Sequence, residues 1–404
     1  MQLKEEKLEK YLAILLTLMV CITRLSMALG QIFYAFSIAL GLYMWHKQGK
    51  LTFPHNTKIY LKVYLVFFVS LLPSVICSGN ILRSFGAFIN IFGYRAMPFI
   101  LILCFIKKKE YIINMLRAFM FVTCIDCLVV AYQLARHYGT TAFVHVRGWG
   151  FGSNTLTIAG VMTMLAPMVL VFLYDPTVNE KLKTAAKALL PCLLIGLWGN
   201  KSRSTWLFIP IAILPLLWQY VRKNRKQLLL LGLVIALLGG GMVANPNYRN
   251  RFLSITNTTT DISNLGRIDT CLSTVNMFKD HPVVGVGIGE WRPQYLAKYK
   301  FEREIQNLPH CHNNALMMAG EAGIIGFLGY IYFLIHFMII SFKNWRKDEN
   351  PYDLIIFSIL IGYLGLFGQI EYVLDNSSGM RIFWFLIACM LQLKALTQPH
   401  NVRS

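Results

Sequence analysis

The sequence predicts an all-α fold: a polytopic membrane protein with about twelve transmembrane helices and one large outer loop that itself contains helices. Hydrophobic residues make up 56% of the chain and charged residues 14%, whereas about 25% of an average soluble domain is charged. Apolar runs of about 20 residues recur, and each is long enough to cross a bilayer. Lysine and arginine concentrate in alternate loops between these runs, which is typical of an inserted chain.

The apolar runs give the order of spans and loops. A single transmembrane domain is expected over residues 1–404, with the long outer loop at residues 245–315 as its largest water-exposed piece. Both termini are expected in the cytoplasm. The predicted spans cover residues 11–28, 30–46, 59–77, 86–106, 112–135, 155–174, 187–200, 204–220, 228–244, 316–341, 354–373 and 381–397.

The basic residues indicate orientation rather than a nucleic-acid partner. The formal net charge is +20, but the charges fall in every second loop, as the positive-inside rule predicts for cytoplasmic loops. Membrane lipids are therefore expected partners and nucleic acid is not. The clusters are Lys47, Lys50 and Lys58; Lys107, Lys108 and Lys109; Lys181, Lys183 and Lys187; Arg222, Lys223, Arg225 and Lys226; and Lys343, Arg346 and Lys347.

The long outer loop contains a predicted helix and a segment that ends it. "SNLGRIDTCLSTVNMFKD" places five apolar residues near one face at helical spacing, and Ser263 or Asn264 is the expected cap. "HPVVGVGIGEW" follows, with Pro282 and alternating glycines. This glycine-rich segment lacks the lysine of a nucleotide-binding loop. The apolar face consists of Ile268, Cys271, Leu272, Val275 and Phe278.

Three polar clusters lie at the outer face. The first, "VHVRGWGFGSN", contains His145 and Arg147; the second, "GNKSRSTW", contains Lys201 and Arg203; the third is the long loop, with Arg267 near its helix start and His310 and His312 at its end. Arginine offers a planar fork of donors that matches phosphate oxygens. Histidine can accept a hydroxyl proton near neutral pH. If helix packing joins the clusters, they suit transfer from a lipid diphosphate, with arginines neutralising the leaving group.

Each cluster also has a simpler interpretation. Lys201 and Arg203 could extend to the membrane interface, as basic residues at span ends do. Arg267 could be an ordinary solvated helix residue. His310 and His312 could be polar interface residues, and His145 a surface histidine.

No metal or other cofactor is expected. The chain has no D-x-D, and no carboxylate motif accompanies His310-x-His312. Within the spans, Asp126 is expected to pair with Arg95 or Arg117 and so to join neighbouring helices. Whether Cys271 and Cys311 in the outer loop form a pair stays open.

The sequence resembles the bacterial O-antigen ligase/polymerase superfamily. The matching segments are "NKSRSTWL", "GRIDTCLSTVNMFKDHPVVGVGIGEW" and "HCHNNALMMAGEAGIIGFLGY". They contain the arginine, H-P-hydrophobic-G-x-G, His-Asn and E-x-G-hydrophobic-hydrophobic-G elements of that family. Here these are Arg267, His281 to Gly287, His312–Asn313 and Glu321 to Gly326.

The resemblance implies an enzyme of the bacterial inner membrane, with its active site and long loop facing the periplasm. A ligase of this family moves polysaccharide from undecaprenyl diphosphate to lipid A–core without ATP or a required metal. Arg203 and Arg267 would hold the donor diphosphate, and His312 would be the base for the acceptor hydroxyl. Arg147, Lys201, His310 and Asn313 are the further candidates for substrate binding.

Other functions stay open. An O-antigen polymerase would use a similar donor but another lipid-linked glycan as acceptor; the short loop at residues 136–154 favours the ligase. A protein O-oligosaccharyltransferase would use a protein hydroxyl. A transporter would place polar residues through the membrane centre, whereas the polar clusters here lie at one face.

Overall fold

The part of the chain that the structure describes consists of helices and the loops between them, with no β-strand. This computed structural model describes residues 2–144, 146–152, 154–221, 244–257, 259–304 and 306–397. Short 3₁₀ and π segments join several of the helices. The α-helices are α1 (Gln2–Leu25), α2 (Met27–Gln48), α3 (Lys58–Ser70), α4 (Leu72–Ile76), α5 (Ile81–Phe88), α6 (Met97–Phe105), α7 (Lys109–Ala135), α8 (Thr155–Tyr174), α9 (Glu180–Asn200), α10 (Arg203–Val221), α11 (Pro246–Leu253), α12 (Ile262–Asp280), α13 (Trp291–Gln294), α14 (Asn314–Asp348), α15 (Pro351–Ile359) and α16 (Ser377–Thr397).

The prediction of an all-α polytopic membrane protein is confirmed. Within the described ranges, nine helical stretches are long and apolar enough to cross a membrane. They coincide with nine of the predicted spans. The spans predicted at 11–28 and 204–220 are helical, in α1 and α10, but do not belong to the nine. The span predicted at 228–244 lies almost entirely outside the described residues.

Helices α8 and α16 lie at the centre of the bundle. In each helix, 89% of the most apolar stretch of 18 residues is buried inside the protein. Their neighbours include α9 and α10 beside α8, and α6 beside α16. Helix α7 packs along α9, where a Cβ atom added to Gly196 would come within 2.9 Å of Cys127 Cβ. Small residues permit this close approach of two helix backbones.

The predicted partner of Asp126 is wrong. Asp126 pairs with Arg24 of α1, with 2.9 Å between Oδ2 and Nε, and both side chains are buried. Arg95 donates instead to Asp375 at 2.8 Å, and the exposed Arg117 lies near Asn114. Helix packing brings Asp126 against α1, where Arg24 is its partner. Arg24 lies near the end of a predicted span, so the sequence did not mark it as a partner. The pair joins α1 to α7.

Helix α14 is broken at Gly323, and the glycine-rich segment fills the break. Gly323 has φ 60° and ψ −162°, outside the helical region. The freed backbone groups pair with residues 282–287: Val286 N donates to Gly320 O (3.0 Å), Gly287 N to Glu321 O (2.9 Å) and Ile324 N to Pro282 O (2.8 Å). The "HPVVGVG" and "EAGIIG" motifs are therefore two halves of one backbone-paired unit.

The helix predicted in the long loop is present as α12, but its cap is different. Asp261 is the N-cap residue, and its carboxylate accepts from Ser263 N and Asn264 N, because a carboxylate satisfies the free amides of the first turn. The buried face of α12 is small and largely polar, whereas Ile268 and Leu272 of the apolar face are exposed.

Candidate functional site

Four arginines line one cavity of about 200 Å³ at the end of the bundle where α9, α10 and α12 meet. They come from four different segments of the chain. Serines, an asparagine and apolar side chains complete the wall. The lining residues are Arg147, Leu156, Ser202, Arg203, Ser204, Leu207, Phe208, Arg251, Ile255, Ser263, Asn264, Arg267 and Ile370.

Helix α7 holds the loop that carries Arg147. Gln133 Oε1 accepts from the backbone amides of Trp149 (2.8 Å) and Gly150 (2.9 Å), and Asp126 Oδ1 accepts from Phe151 N at 2.8 Å. Asn200 Nδ2 donates to Gly148 O at 2.8 Å. These bonds fix the loop between α7 and the end of α9, so Arg147 is directed into the cavity.

Arg203 ties the short turn after α9 to the start of α12. Its Nη1 donates to Ser254 Oγ (2.7 Å) and Asp261 Oδ2 (3.0 Å), and its Nη2 donates to Asn264 Oδ1 (3.1 Å). Asp261, which also caps α12, partly neutralises this guanidinium. Arg203 thus anchors the loop in addition to lining the cavity.

Arg267 is the least satisfied arginine of the four. It lies one turn into α12, and its buried Nε has no hydrogen-bond partner. Burial lowers the pKa of Arg267, and the charge of Glu371 acts in the opposite direction. Burial, together with the positive charges of the other three arginines, lowers the pKa of Arg147 to about 9. A bound anion would relieve this repulsion.

His312 forms a hydrogen bond with a buried carboxylate beside the cavity. His312 Nδ1 lies 2.8 Å from Glu371 Oε2, and the exposed fractions of the two side chains are 10% and 7%. Glu371 directly follows Ile370, which lines the cavity. Because an ionised carboxylate can only accept, Nδ1 carries the proton and Nε2 keeps its lone pair. Nε2 is buried without a partner, as a free base requires.

His310 is the second histidine at Glu371. Its Nε2 lies 3.6 Å from Glu371 Oε1. Burial lowers the pKa of His310 more than Glu371 raises it. Burial also raises the pKa of Glu371, but the hydrogen bond with His312 and the neighbouring positive groups outweigh it, so the pKa lies below its ordinary value. Glu371 is thus ionised and His310 neutral near pH 7.

A carboxylate that no sequence motif indicated lies beside the two histidines. His310, His312 and Glu371 offer three ligand atoms within 4.8 Å of one another. Two histidines and a glutamate are a donor set that zinc accepts. These three residues could therefore hold a divalent ion, at the cost of the hydrogen bond that orients His312.

Asn313 and Asn314 join the histidine segment to the Glu371 segment. Asn313 caps α14 by accepting from Leu316 N at 2.9 Å, and its Nδ2 donates to Gln369 O at 3.1 Å. Asn314 Oδ1 accepts from Val373 N at 2.9 Å. Asn313 and Asn314 therefore hold the backbone on the two sides of Glu371.

The structure brings most of the sequence-predicted site residues together. Arg147, Arg203 and Arg267 share the cavity, with His310, His312 and Asn313 beside it. Lys201 is directed elsewhere: its ammonium donates to Phe143 O and lies 4.0 Å from the centroid of the Phe143 ring. His145 lies outside the described residues.

Sequence reasoning missed two residues, Arg251 and Glu371. Arg251 lines the cavity and donates from Nε to Lys201 O at 3.1 Å. Its signal was a basic residue inside the long outer loop, "NYRNRF". The signal of Glu371 was a lone carboxylate at the end of a span, "GQIEYV".

The fold and the site define a multi-pass membrane protein with a cationic cavity beside a histidine–carboxylate pair. Residues 188–331 match the family model described as O-antigen ligase. This match supports membership of the chain in the O-antigen ligase/polymerase superfamily. The matched segment includes Arg203, Arg251, Arg267 and both histidines, while Arg147 and Glu371 lie outside it. No curated protein matches the chain.

Proposed function

We propose that this protein is an O-antigen ligase, a glycosyltransferase that moves polysaccharide from undecaprenyl diphosphate to lipid A–core. One observation carries the proposal: four arginines line a cavity that adjoins a histidine whose free nitrogen faces no protein partner. Superfamily membership supports a lipid-linked glycan as the donor. The acceptor and the direction of transfer belong to the proposal.

The arginines would bind the donor diphosphate. A diphosphate presents several anionic oxygens, and guanidinium groups pair with them in a bidentate manner. Arg267 is the first candidate because its Nε is free, and Arg147 and Arg251 flank it. Arg203 would contribute through the part of its guanidinium that faces the cavity, while Asp261 and Asn264 keep its position.

His312 would act as the general base. Its Nε2 would take the proton of the acceptor hydroxyl while the acceptor oxygen bonds to the anomeric carbon of the donor sugar. The bond from that carbon to the diphosphate oxygen would break, and the arginines would stabilise the departing charge. A single displacement would invert the anomeric centre. Glu371 would hold the ring and stabilise the imidazolium that forms.

The reaction so described needs no nucleotide and no metal. The diphosphate bond of the donor supplies the leaving group, and guanidinium groups supply the positive charge that a metal would otherwise provide. We also propose that the chain lies in the bacterial inner membrane, with the cavity and the loop at 245–315 on the periplasmic side and both termini in the cytoplasm. This is the side on which lipid-linked glycan and lipid A–core would meet.

A transfer assay tests the proposal. Purified protein in detergent receives undecaprenyl-diphosphate-linked glycan and lipid A–core, with EDTA and without nucleotide. Glycan is expected on lipid A–core as a single transfer. His312→Ala is expected to lower the rate about 10²- to 10⁴-fold, since a general base contributes that much, whereas the exposed His55→Ala is the control.

Two products would contradict the ligase assignment. Growth of the donor into longer lipid-linked chains would show a polymerase. Glycan on an added protein acceptor, with none on lipid A–core, would show a protein O-oligosaccharyltransferase. Near-normal transfer by a folded His312→Ala variant would remove His312 from the role of base.

A further inference from the structure

Two cysteines are in contact where α12, which carries Arg267, packs against the histidine segment, residues 310–312. Cys271 lies on α12, four residues after Arg267, and Cys311 stands between His310 and His312. Their sulfur atoms are 3.3 Å apart, and both residues are free thiols in this structure. The contact spans 40 residues of chain. It joins the two segments that bear the proposed anion-binding and base residues.

The two thiols differ in accessibility and acidity. Cys311 is completely buried, while Cys271 is partly exposed. The hydrogen bond from Cys311 lowers the pKa of Cys271, and the charge of Arg267 adds to this effect against the opposing effect of burial. A thiolate is the attacking form in disulfide exchange. Cys271 therefore has the properties of the attacking residue and Cys311 those of the resolving one.

We propose that Cys271 and Cys311 form a disulfide bond that fastens α12 to the histidine segment. The inference rests on the proposed function for its orientation, because a face exposed to the periplasm lies in an oxidising compartment where disulfides persist. Neither cysteine belongs to a membrane-spanning helix, and the partly exposed Cys271 is the residue that an oxidising protein would reach.

The bond forms by two exchange steps. The Cys271 thiolate attacks a sulfur atom of a disulfide-bearing oxidant, such as an oxidised thiol oxidoreductase, and releases one thiol of it. The Cys311 thiol then loses its proton and attacks Cys271 Sγ, which breaks the mixed disulfide and releases the second thiol. Two electrons pass from the cysteines to the oxidant, and the two protons end on its thiols.

The bond would hold Arg267 and His312 at a fixed separation. Arg267 lies one helical turn before Cys271, and His312 directly follows Cys311. Without the disulfide bond, α12 is held at its start by the ion pair of Arg203 with Asp261 and further along by the hydrogen bond from Arg303 to Asp269. The disulfide adds a covalent tie at the turn nearest to the histidines.

A peptide map decides whether the bond exists. Intact cells are treated with a membrane-permeant maleimide before lysis, and the full-length protein is purified without reductant, digested and analysed by mass spectrometry. A cross-linked peptide pair that contains Cys271 and Cys311, and that separates on reduction, is expected. Maleimide on both cysteines in the unreduced protein would overturn the proposal.

Thermal unfolding, followed by tryptophan fluorescence in detergent, gives a second measurement. Dithiothreitol is expected to lower the midpoint of the wild type by several degrees and to leave Cys271→Ser unchanged. Cys192→Ser, which changes a cysteine of α9, is expected to respond as the wild type does. Equal midpoints for wild type and Cys271→Ser, with no effect of the reductant on either, would contradict the proposal.

The proposed orientation of the protein in the membrane is tested separately, so that its failure can be distinguished from failure of the disulfide proposal. Cys77 is exposed and follows α4, and the adjacent Ser78 lies next to Gly287. A membrane-impermeant maleimide applied to spheroplasts is expected to label Cys77. Labelling of Cys77 only after lysis would contradict the proposed orientation, whereas the peptide map alone decides the cross-link.

Discussion

At the scale of single residues, the pairing of His312 with Glu371 determines which nitrogen can act. The 2.8 Å contact uses Nδ1, and Nε2 has no partner. A carboxylate on Nδ1 selects the tautomer whose Nε2 accepts a proton, and it stabilises the charged ring that results. Glu371 is therefore a positioning residue, because it acts through His312.

Glu371→Gln is expected to lower transfer about 10²-fold or more, because an amide can present its NH₂ group to Nδ1 and so favour the wrong tautomer. The measurement is kcat and KM of the transfer assay, and kcat should fall more than KM changes. Glu302→Gln, at an exposed position, is the control. An unchanged kcat would mean that His312 is oriented by other contacts.

The stability contribution of Glu371 should depend on pH. The pKa of Glu371 is lower in the folded protein than its ordinary value of 4.5, so its stabilising effect is complete above that value and is lost as the pH falls through the folded pKa. The charged or titratable groups around it are His310, His312, Arg267, Arg147 and Tyr363. Wild type should melt above Glu371→Gln at pH 7, and the difference should shrink below pH 4.5. A difference that grows in acid would contradict this sign.

Arg267→Lys is expected to lower kcat/KM about 10- to 100-fold, since lysine keeps the charge but cannot form the planar, two-point contact with phosphate. Inorganic pyrophosphate should raise the thermal midpoint of the wild type more than that of the variant. Arg117→Lys is the matched control, because Arg117 is exposed. Equal protection of Arg267→Lys and wild type by pyrophosphate would argue against diphosphate recognition by this side chain.

At the scale of elements, the broken helix α14 explains why particular glycines occur in two distant motifs. Gly285 has φ +70°, and a Cβ atom there would lie 2.3 Å from Glu321 C. A Cβ atom on Gly323 would lie 2.3 Å from Val283 C. Both contacts are with backbone atoms, which cannot rotate away. The unit places Glu321 so that its Oε1 accepts from Gly289 N at 3.0 Å.

Gly285→Ala is expected to prevent correct docking of the loop at residues 282–289, while Gly49→Ala should be tolerated. Both glycines have φ +70°, but a Cβ atom on Gly49 meets nothing within 4 Å. Gly49→Ala is therefore the control, because it introduces only the strain of a left-handed backbone conformation, about 1–2 kcal/mol. Thermal midpoint and monodispersity in detergent measure the difference. Similar midpoints for the two variants would show that strain, not the close approach, is what matters.

The distribution of polar and apolar side chains on helix α12 differs from that of an ordinary amphipathic surface helix. It buries small polar residues such as Thr270 and Ser273 and leaves Ile268 and Leu272 exposed. In a soluble protein this arrangement would be unfavourable, because apolar area would face water. At a bilayer the exposed apolar residues suit contact with lipid chains.

At the scale of the whole molecule, buried ion pairs join helices that are far apart in sequence. Arg24 and Asp126 are separated by 102 residues, and Lys394 and Asp353 by 41 residues at 2.6 Å. Charges taken out of water need a partner, and loss of one partner leaves the other uncompensated. These pairs therefore favour one arrangement of the helices over others of similar apolar content.

Arg24→Met is expected to destabilise the protein by about 3–5 kcal/mol, because Asp126 is left buried without its partner. The double variant Arg24→Met/Asp126→Asn should recover much of this loss, since asparagine removes the charge and keeps an oxygen for Phe151 N. Thermal midpoints of the single and double variants measure the effect. A double variant less stable than Arg24→Met would mean that the carboxylate itself is required.

These predictions also show which features a sequence can supply. Nine spans were predictable because the length of an apolar run is a local property, and Arg267 and His312 were indicated by local motifs. Glu371 was not, since its partner His312 is 59 residues away and the contact exists only after the helices pack. The break in α14 was hidden for the same reason: hydropathy continues through Gly323, and only the docked segment at 282–287 compensates for the lost helical bonds.

The docked glycine-rich segment should also behave unlike a loop on the timescale of amide exchange. The amide hydrogens of Val286 and Gly287 are bound by carbonyl groups of α14, and that of Gly289 by a buried carboxylate. Their release requires α14 to open at its break, so they exchange with deuterium only as fast as that helix does. A segment that its composition marks as pliable would then be among the slowest-exchanging parts of the chain outside the bilayer.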